Sequence, residues 1–174
     1  MSEPVDRVDE QDRVMGVVDR GEAIRRGWLH RVATVVCRDT DGRILVHRRP
    51  ESASRFAGQY SWLLGGAVEA GESYADAAVR ELSEELGTRA TLRFAFKYFC
   101  RGAISPYWMA VHEAVPAGDF TPDPTEIAWY DWLPEADFRR VLWQWPFVPD
   151  SRETFTRYTQ LPGGSHASRS TAGG

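Results

Sequence analysis

Cysteine is scarce: the 174 residues contain two, Cys37 and Cys100. They lie far apart and outside any CxxC spacing, which excludes a disulfide framework and a thiolate zinc site. That usage suits a reducing cytoplasm. A basic excess is missing too, with 21 Lys and Arg against 25 Asp and Glu and a net charge of −4. No summed positive field therefore draws in a phosphate backbone, and nucleic acid is not expected as a partner. Long apolar runs are also absent. The longest stretch, 32–37, is interrupted by Thr34, and residues 1–13 are acidic and polar, so neither a membrane span nor a secretory signal is expected. What is present, 43% hydrophobic and 26% charged residues, suits one domain with one buried core.

Segments 1–13 and 162–174 lack periodic apolar residues and are rich in charged or small groups. They read as tails that cannot offset their ordering entropy, leaving 14–161 as the domain. Within it, 14–19 is expected as a strand and 22–30 as a short helical or irregular connection. The β-branched runs 31–38 and 43–49 flank Asp39-Thr40-Asp41-Gly42, whose Asp-Gly step predicts a hairpin. A polar loop over 50–60 leads to a short strand at 61–64 that runs into Gly65-Gly66. Ser73 can cap a helix over 73–86, with Asp76 three residues on and Gly87 as its left-handed stop. Strands at 91–100, 107–115 and 127–133 and helices at 134–142 and 151–161 complete an α+β chain, an α/β/α layering with a mixed sheet.

One cluster breaks the local rules. Glu81, Glu84 and Glu85 stand at i, i+3 and i+4 on the predicted helix, where like-charge neighbours cost roughly 0.2–0.5 kcal/mol each. Glu84 and Glu85 also occupy the last turn before Gly87, the end at which the helix dipole favours cations. A solvated glutamate face accounts for such a cluster by itself. A bound divalent cation compensates both breaches, and oxygen ligands suit Mg²⁺ or Mn²⁺.

The flanking sequence decides between these. Gly66, Glu72, Arg80, Glu81, Leu82, Glu84, Glu85 and Gly87 match Gx5Ex7REUxEExGU, departing only at Thr88, where an apolar residue is usual. A chance match is expected on the order of once in 10⁶ chains of this size. The segment resembles the Nudix box, and the stretches around it (VMGVVDRGEAIRRGWLHRVATVV, DGRILVHRR, AGQYSW) are similar to the Nudix subgroup akin to isopentenyl-diphosphate isomerase. The resemblance implies the MutT-like Nudix fold and a Mg²⁺-dependent pyrophosphatase, with Mn²⁺ as the alternative ion. Its substrate would be a small molecule, a nucleoside diphosphate linked to another moiety X.

Carried over by position, the resemblance implies Glu84, Glu85 and the Gly65 carbonyl as metal ligands, and Glu81 as ligand or general base. Arg80 would clamp Glu81 or brace Glu72, and Gly66, Glu72 and Gly87 would shape the box. Glu126 is the candidate for a further carboxylate, with Glu113 its competitor. Arg48, Arg49 and Arg55 are candidates for phosphate contacts, against the plainer reading of a solvated strand face. Tyr98, Trp108 and Trp129 are weighed as a stacking platform against the core, and His30 and His47 as ligands against structural histidines. Trp132, Trp143, Trp145 and Phe147 pack either on their own sheet or on a second subunit, which would make a homodimer. The isomerases carry a cysteine just before the box glycine, whereas SWLLGGAVE has none, so isomerisation is disfavoured. A non-catalytic nucleotide-metabolite binder would be expected to have lost box carboxylates, and none is lost.

Overall fold

The computed structural model describes residues 3–162. In chain order the elements are β1 (Pro4–Val8), β2 (Val14–Asp19), α1 (Arg20–Arg26), β3 (Arg31–Cys37), β4 (Ile44–Arg48), β5 (Tyr60–Ser61) and β6 (Leu64–Ala67). They continue with α2 (Tyr74–Leu86), β7 (Arg93–Cys100), β8 (Tyr107–Ala114), β9 (Trp129–Leu133), α3 (Glu135–Gln144) and α4 (Ser151–Thr159). Strands in the order β6-β3-β8-β7 form a mixed sheet in which β3 and β8 run parallel. Beside it lies the antiparallel sheet β5-β4-β9, and β1 and β2 make a separate ribbon.

Strand alternation sets the layers. On β3, Ala33, Val35 and Cys37 join Leu45 and Leu64 against the apolar stripe of α2, Ala77, Ala78, Leu82 and Leu86. Val36, Ile44, Val46, Met109 and Val111 face the other way, onto Phe138 and Leu142 of α3 and Phe155 and Tyr158 of α4. Each fully buried leucine or phenylalanine here contributes about 1.5–3 kcal/mol. The result is the expected α/β/α arrangement, and among the described residues no helix is long and apolar enough to cross a membrane. Helix α2 is bounded as its sequence predicts: Ser73 Oγ accepts from Asp76 N at 3.1 Å, and Gly87 turns left-handed at φ 65°.

Two expectations are corrected. The 39–42 turn forms, with Gly42 N donating to the Asp39 carbonyl at 3.0 Å, but its arms pair only through the Arg38–Ile44 bridge and then diverge into different sheets. Both edges of β3 are already taken by β6 and β8, so β4 pairs with β5 and β9 instead. The second concerns 1–13, expected as a tail. Pro4–Val8 is a strand with Val5 and Val8 buried, its Asp6 accepts from Gly71 N at 3.1 Å, and Asp12 is held by Arg31, Lys97 and Tyr74. Two apolar positions are too few to register as a period, and the ion pairs that fasten the ribbon reach residues distant in sequence. Most of the expected C-terminal tail, 163–174, lies outside the described residues.

The aromatic C-terminal segment packs within its own chain. Trp145 and Phe147 join the α3–α4 core and Trp132 the α2 core, while Trp143 stays exposed.

Candidate active site

The site begins where β6 lies along β3, with Gly65 opposite Thr34 and Gly66 opposite Ala33. A Cβ at Gly65 would run into the Ala33 carbonyl oxygen, so only glycine allows the strands this close. At Gly66 a Cβ would sit 2.6 Å from Glu81 Oε1. The missing side chain is therefore what leaves room for the Glu81 carboxylate. One turn further along α2, Glu85 Oε2 accepts from Gly65 N at 3.3 Å.

Arg80 joins the box loop to the helix and fills both roles expected of it at once. Its Nε and Nη2 donate to the two Glu72 carboxylate oxygens at 2.9 Å each, a bidentate pair. Nη1 reaches Glu81 at 3.0 Å and Glu84 at 3.4 Å, and Nη2 also donates to the Ala67 carbonyl at 3.1 Å. Beside this guanidinium the Glu72 carboxyl is held below its ordinary range.

Glu81 and Glu85 behave in the opposite way. Burial raises the proton affinity of Glu81, Arg80 opposes the rise, and Glu84 and Glu126 add to it. Glu85, buried on α2, is pushed well up by desolvation and then by the charges of Glu81 and Glu126. Among the described residues no three His, Cys, Asp or Glu side chains are gathered closely enough to hold a metal ion by themselves. Glu81 and Glu84 are turned toward Arg80, and Glu84 is largely exposed. The donor chemistry still fits a hard divalent cation: four carboxylates and the Gly65 carbonyl, all oxygen, with negative charge in excess of its local compensation.

A cleft of about 260 Å³ opens from this point, lined at one end by Gly65, Gly66, Glu85 and Glu126. Of the candidates for the additional carboxylate, Glu126 is in the cleft, 3.9 Å from Arg49, while Glu113 is paired with Arg93 on the sheet. Arg55, a candidate for phosphate contacts, also lines the cleft. Arg48 does not. It ion-pairs with Glu51 at 3.3 Å, and the cleft is lined by Arg49 instead, because successive residues at a strand end point to opposite faces. The aromatic candidates stay outside as well: Tyr98 is core, Trp108 donates to the Asp9 carbonyl, and Trp129 packs on Tyr60 and Trp145.

The cleft is walled by residues the sequence did not single out. Phe56 reaches it from a backbone at φ 51°, and Ile104 faces it from the loop after β7. Tyr107 and Asp150 line it as a pair, the tyrosine hydroxyl donating at 2.5 Å. A left-handed phenylalanine gives no composition signal, and Asp150 lies 43 residues beyond Tyr107.

Comparison with known proteins agrees with this geometry. A family model described as NUDIX domain matches residues 28–158. An uncharacterized Nudix hydrolase of Streptomyces coelicolor is 44% identical over 166 residues, spanning 94% of this chain and 92% of that protein. An isopentenyl-diphosphate Delta-isomerase of Nocardia farcinica is 35% identical over 146 residues, 80% of this chain and 83% of its own. A crystal structure of a Deinococcus radiodurans protein matches with a TM-score of 0.75 at 28% identity, covering 89% of this chain and 98% of that one. With most of its length matched by the family model and by these relatives, the chain belongs to the Nudix hydrolases, enzymes acting on pyrophosphate bonds.

Proposed function

We propose that this Nudix hydrolase is Mg²⁺-dependent, with Mn²⁺ as the alternative ion, and cleaves the pyrophosphate linkage of a nucleoside diphosphate joined to a moiety X. The observation that carries the reading is the gathering of Glu81, behind Gly66, with Glu85 and Glu126 on the cleft wall, where burial and the neighbouring carboxylates raise the proton affinity of Glu81 and Glu85. Glu81, Glu84, Glu85 and the Gly65 carbonyl would hold the cation. When bound, it neutralises the bridging and leaving oxygens and makes water a better acid. Where Glu81 is the base rather than a ligand, its burial-raised proton affinity suits it to take the proton of the attacking water, with Glu126 on the cleft wall as second candidate. Arg49 offers a guanidinium donor to phosphate oxygens of the diphosphate.

Isomerisation is a poorer reading despite the isomerase relative. Both thiols are buried in the core, neither lines the cleft, and burial pushes the Cys37 thiol up to about 12. No thiol stands ready for proton transfer to carbon.

The test is phosphate-product release from a panel of nucleoside diphosphate derivatives with Mg²⁺, Mn²⁺ or chelator, for the native chain and Glu84→Gln. Metal-dependent turnover that is lost in the variant is the expected result. Saturable binding without turnover, unaffected by the substitution, would instead make the chain a nucleotide-metabolite binder. A second variant tests the glycine. Gly66→Ala is expected to push the Glu81 carboxylate aside and cut kcat roughly 10²-fold, the cost of about an ångström of misplacement. Its melting midpoint should fall by no more than roughly 4 °C, about 1 kcal/mol for a chain of this length, because the clashing atom ends a movable side chain. Kinetics and calorimetry on one preparation check both halves.

A further inference from the structure

Four side-chain polar atoms among the described residues are buried without a hydrogen-bond partner: Arg20 Nε, His30 Nδ1, His47 Nδ1 and Ser151 Oγ. The residues bearing the first three all line the cleft. Buried polar atoms are nearly always satisfied, by protein, water or ligand, so three without a protein partner on one cavity wall mark a place suited to a polar ligand. His47 is fixed by its Nε2–H, donated to the Leu63 carbonyl at 2.9 Å, which leaves Nδ1 a bare acceptor.

The cleft charges fall into two sets. Glu81, Glu126 and Arg49 act on Glu85, whereas the His30 imidazole is brought down to about 4 chiefly by burial, with the charges of Arg20 and Arg55 adding to it. The Tyr107 ring lies 6.1 Å from the His30 ring and directs its hydroxyl to Asp150, so that carboxylate is engaged elsewhere. Arg55 has no carboxylate partner among the described residues, and the one ion pair of Arg20, to Glu3 at 3.2 Å, is made on its solvent side. One set is thus mainly acidic, and the other brings two guanidiniums to bear on the His30 imidazole, with Asp150 held by Tyr107 beside it.

We propose that Arg20, His30 and Arg55 form a second anion subsite, which takes a phosphomonoester or carboxylate carried by the moiety X of the substrate. The inference rests on the diphosphate hydrolase reading for the word substrate, but the subsite itself is defined by its own residues. An anion would accept from Arg20 Nε and from the His30 ring as it gains a proton, which satisfies those two orphaned atoms, with Arg55 as a further donor; His47 Nδ1, an acceptor, stays outside the subsite. At about 260 Å³ the cleft lies below the ~300–1,000 Å³ of sites that enclose drug-sized ligands. The enclosed part of X is therefore compact.

The experiment uses the full chain in chelator, with inorganic phosphate and, separately, acetate as probes, and follows the His30 ring by NMR across pH. Phosphate is expected to raise the His30 titration midpoint saturably. Arg55→Gln and Arg20→Gln should each weaken the probe about tenfold, the value of one charged hydrogen bond, while Arg25→Gln on the same helix should not. Saturable binding of acetate but not phosphate would assign the subsite to a carboxylate. No response of His30 to either anion, or a response that survives both Arg20 and Arg55 substitutions, overturns the proposal. Arg55 lies on a surface loop, so Arg55→Gln remains informative where Arg20→Gln fails to fold. The turnover panel separates the two readings: absence of metal-dependent turnover by the native chain would defeat the hydrolase reading, turnover retained in Glu84→Gln would remove Glu84 from the cation site, and either would leave the phosphate result standing.

Discussion

Glu85→Gln is expected to cut turnover by on the order of 10²–10⁴-fold, the several kcal/mol of charge stabilisation that a held cation supplies, and yet to stabilise the chelated protein at neutral pH. The two effects share one cause. Glu85 is buried beside Glu81 and Glu126, and its proton affinity in the fold stands well above the ordinary 4.5. Between 4.5 and that raised value the folded chain keeps a proton that the unfolded chain has released, so stability falls as pH rises through the window. Glutamine carries no such proton and no such charge, so the Glu85 share of the slope should be absent in the variant and that of Glu81 should remain. Added Mg²⁺ binds the folded state alone and should restore native stability by mass action while leaving the variant little changed. Thermal melts against pH, with chelator and with Mg²⁺, check this. A variant less stable than the native chain in chelator at pH 8 would show that the carboxylate is not held at a cost.

The parts of this site that were legible in the sequence are the local ones. A helix with its cap at Ser73 and stop at Gly87 fixes Glu81, Glu84 and Glu85 on successive turns, and the box spacing carries Gly66, Glu72 and Arg80 with it. The alternation along β3 fixes which residues face α2. What depended on distant partners was not legible. The arms of the 39–42 turn separate because β6 and β8 claim both edges of β3, and neither claim leaves a mark on the turn itself. Arg48 and Arg49 are chemically alike, and the choice between them follows from the end of β4, where one residue of offset reverses the face. Nothing local marks the ribbon of β1 and β2, whose Asp12 is held by Arg31, Tyr74 and Lys97 across gaps of 19, 62 and 85 residues.

Arg80→Met is expected to have the largest effect on stability, about 3 kcal/mol, the low end of the range for breaking a buried ion pair because the guanidinium keeps some exposure. Methionine matches the arginine stem but leaves Glu72 and Glu81, both largely buried, without their countercharge, and strands the Ala67 carbonyl. For a chain of this length the loss corresponds to a melting midpoint lower by roughly 10 °C. Arg80→Lys recovers less than half of it, since one ammonium cannot span both oxygens of Glu72 and still reach Glu81. The pH dependence identifies the partner. The Glu72 carboxyl is depressed by Arg80, so the stability it adds is fully present above 4.5 and is lost as pH falls through the depressed folded value. The gap between native and variant should therefore close on acidification. Activity reports on the other partner, because Arg80 is the main influence holding the proton affinity of Glu81 down against burial. Without it the acid limb of the kcat profile should move to higher pH, a displacement that loss of folding alone does not produce. An unmoved acid limb in a folded Arg80→Met would mean that Glu81 does not carry the proton, and would transfer that role to Glu126.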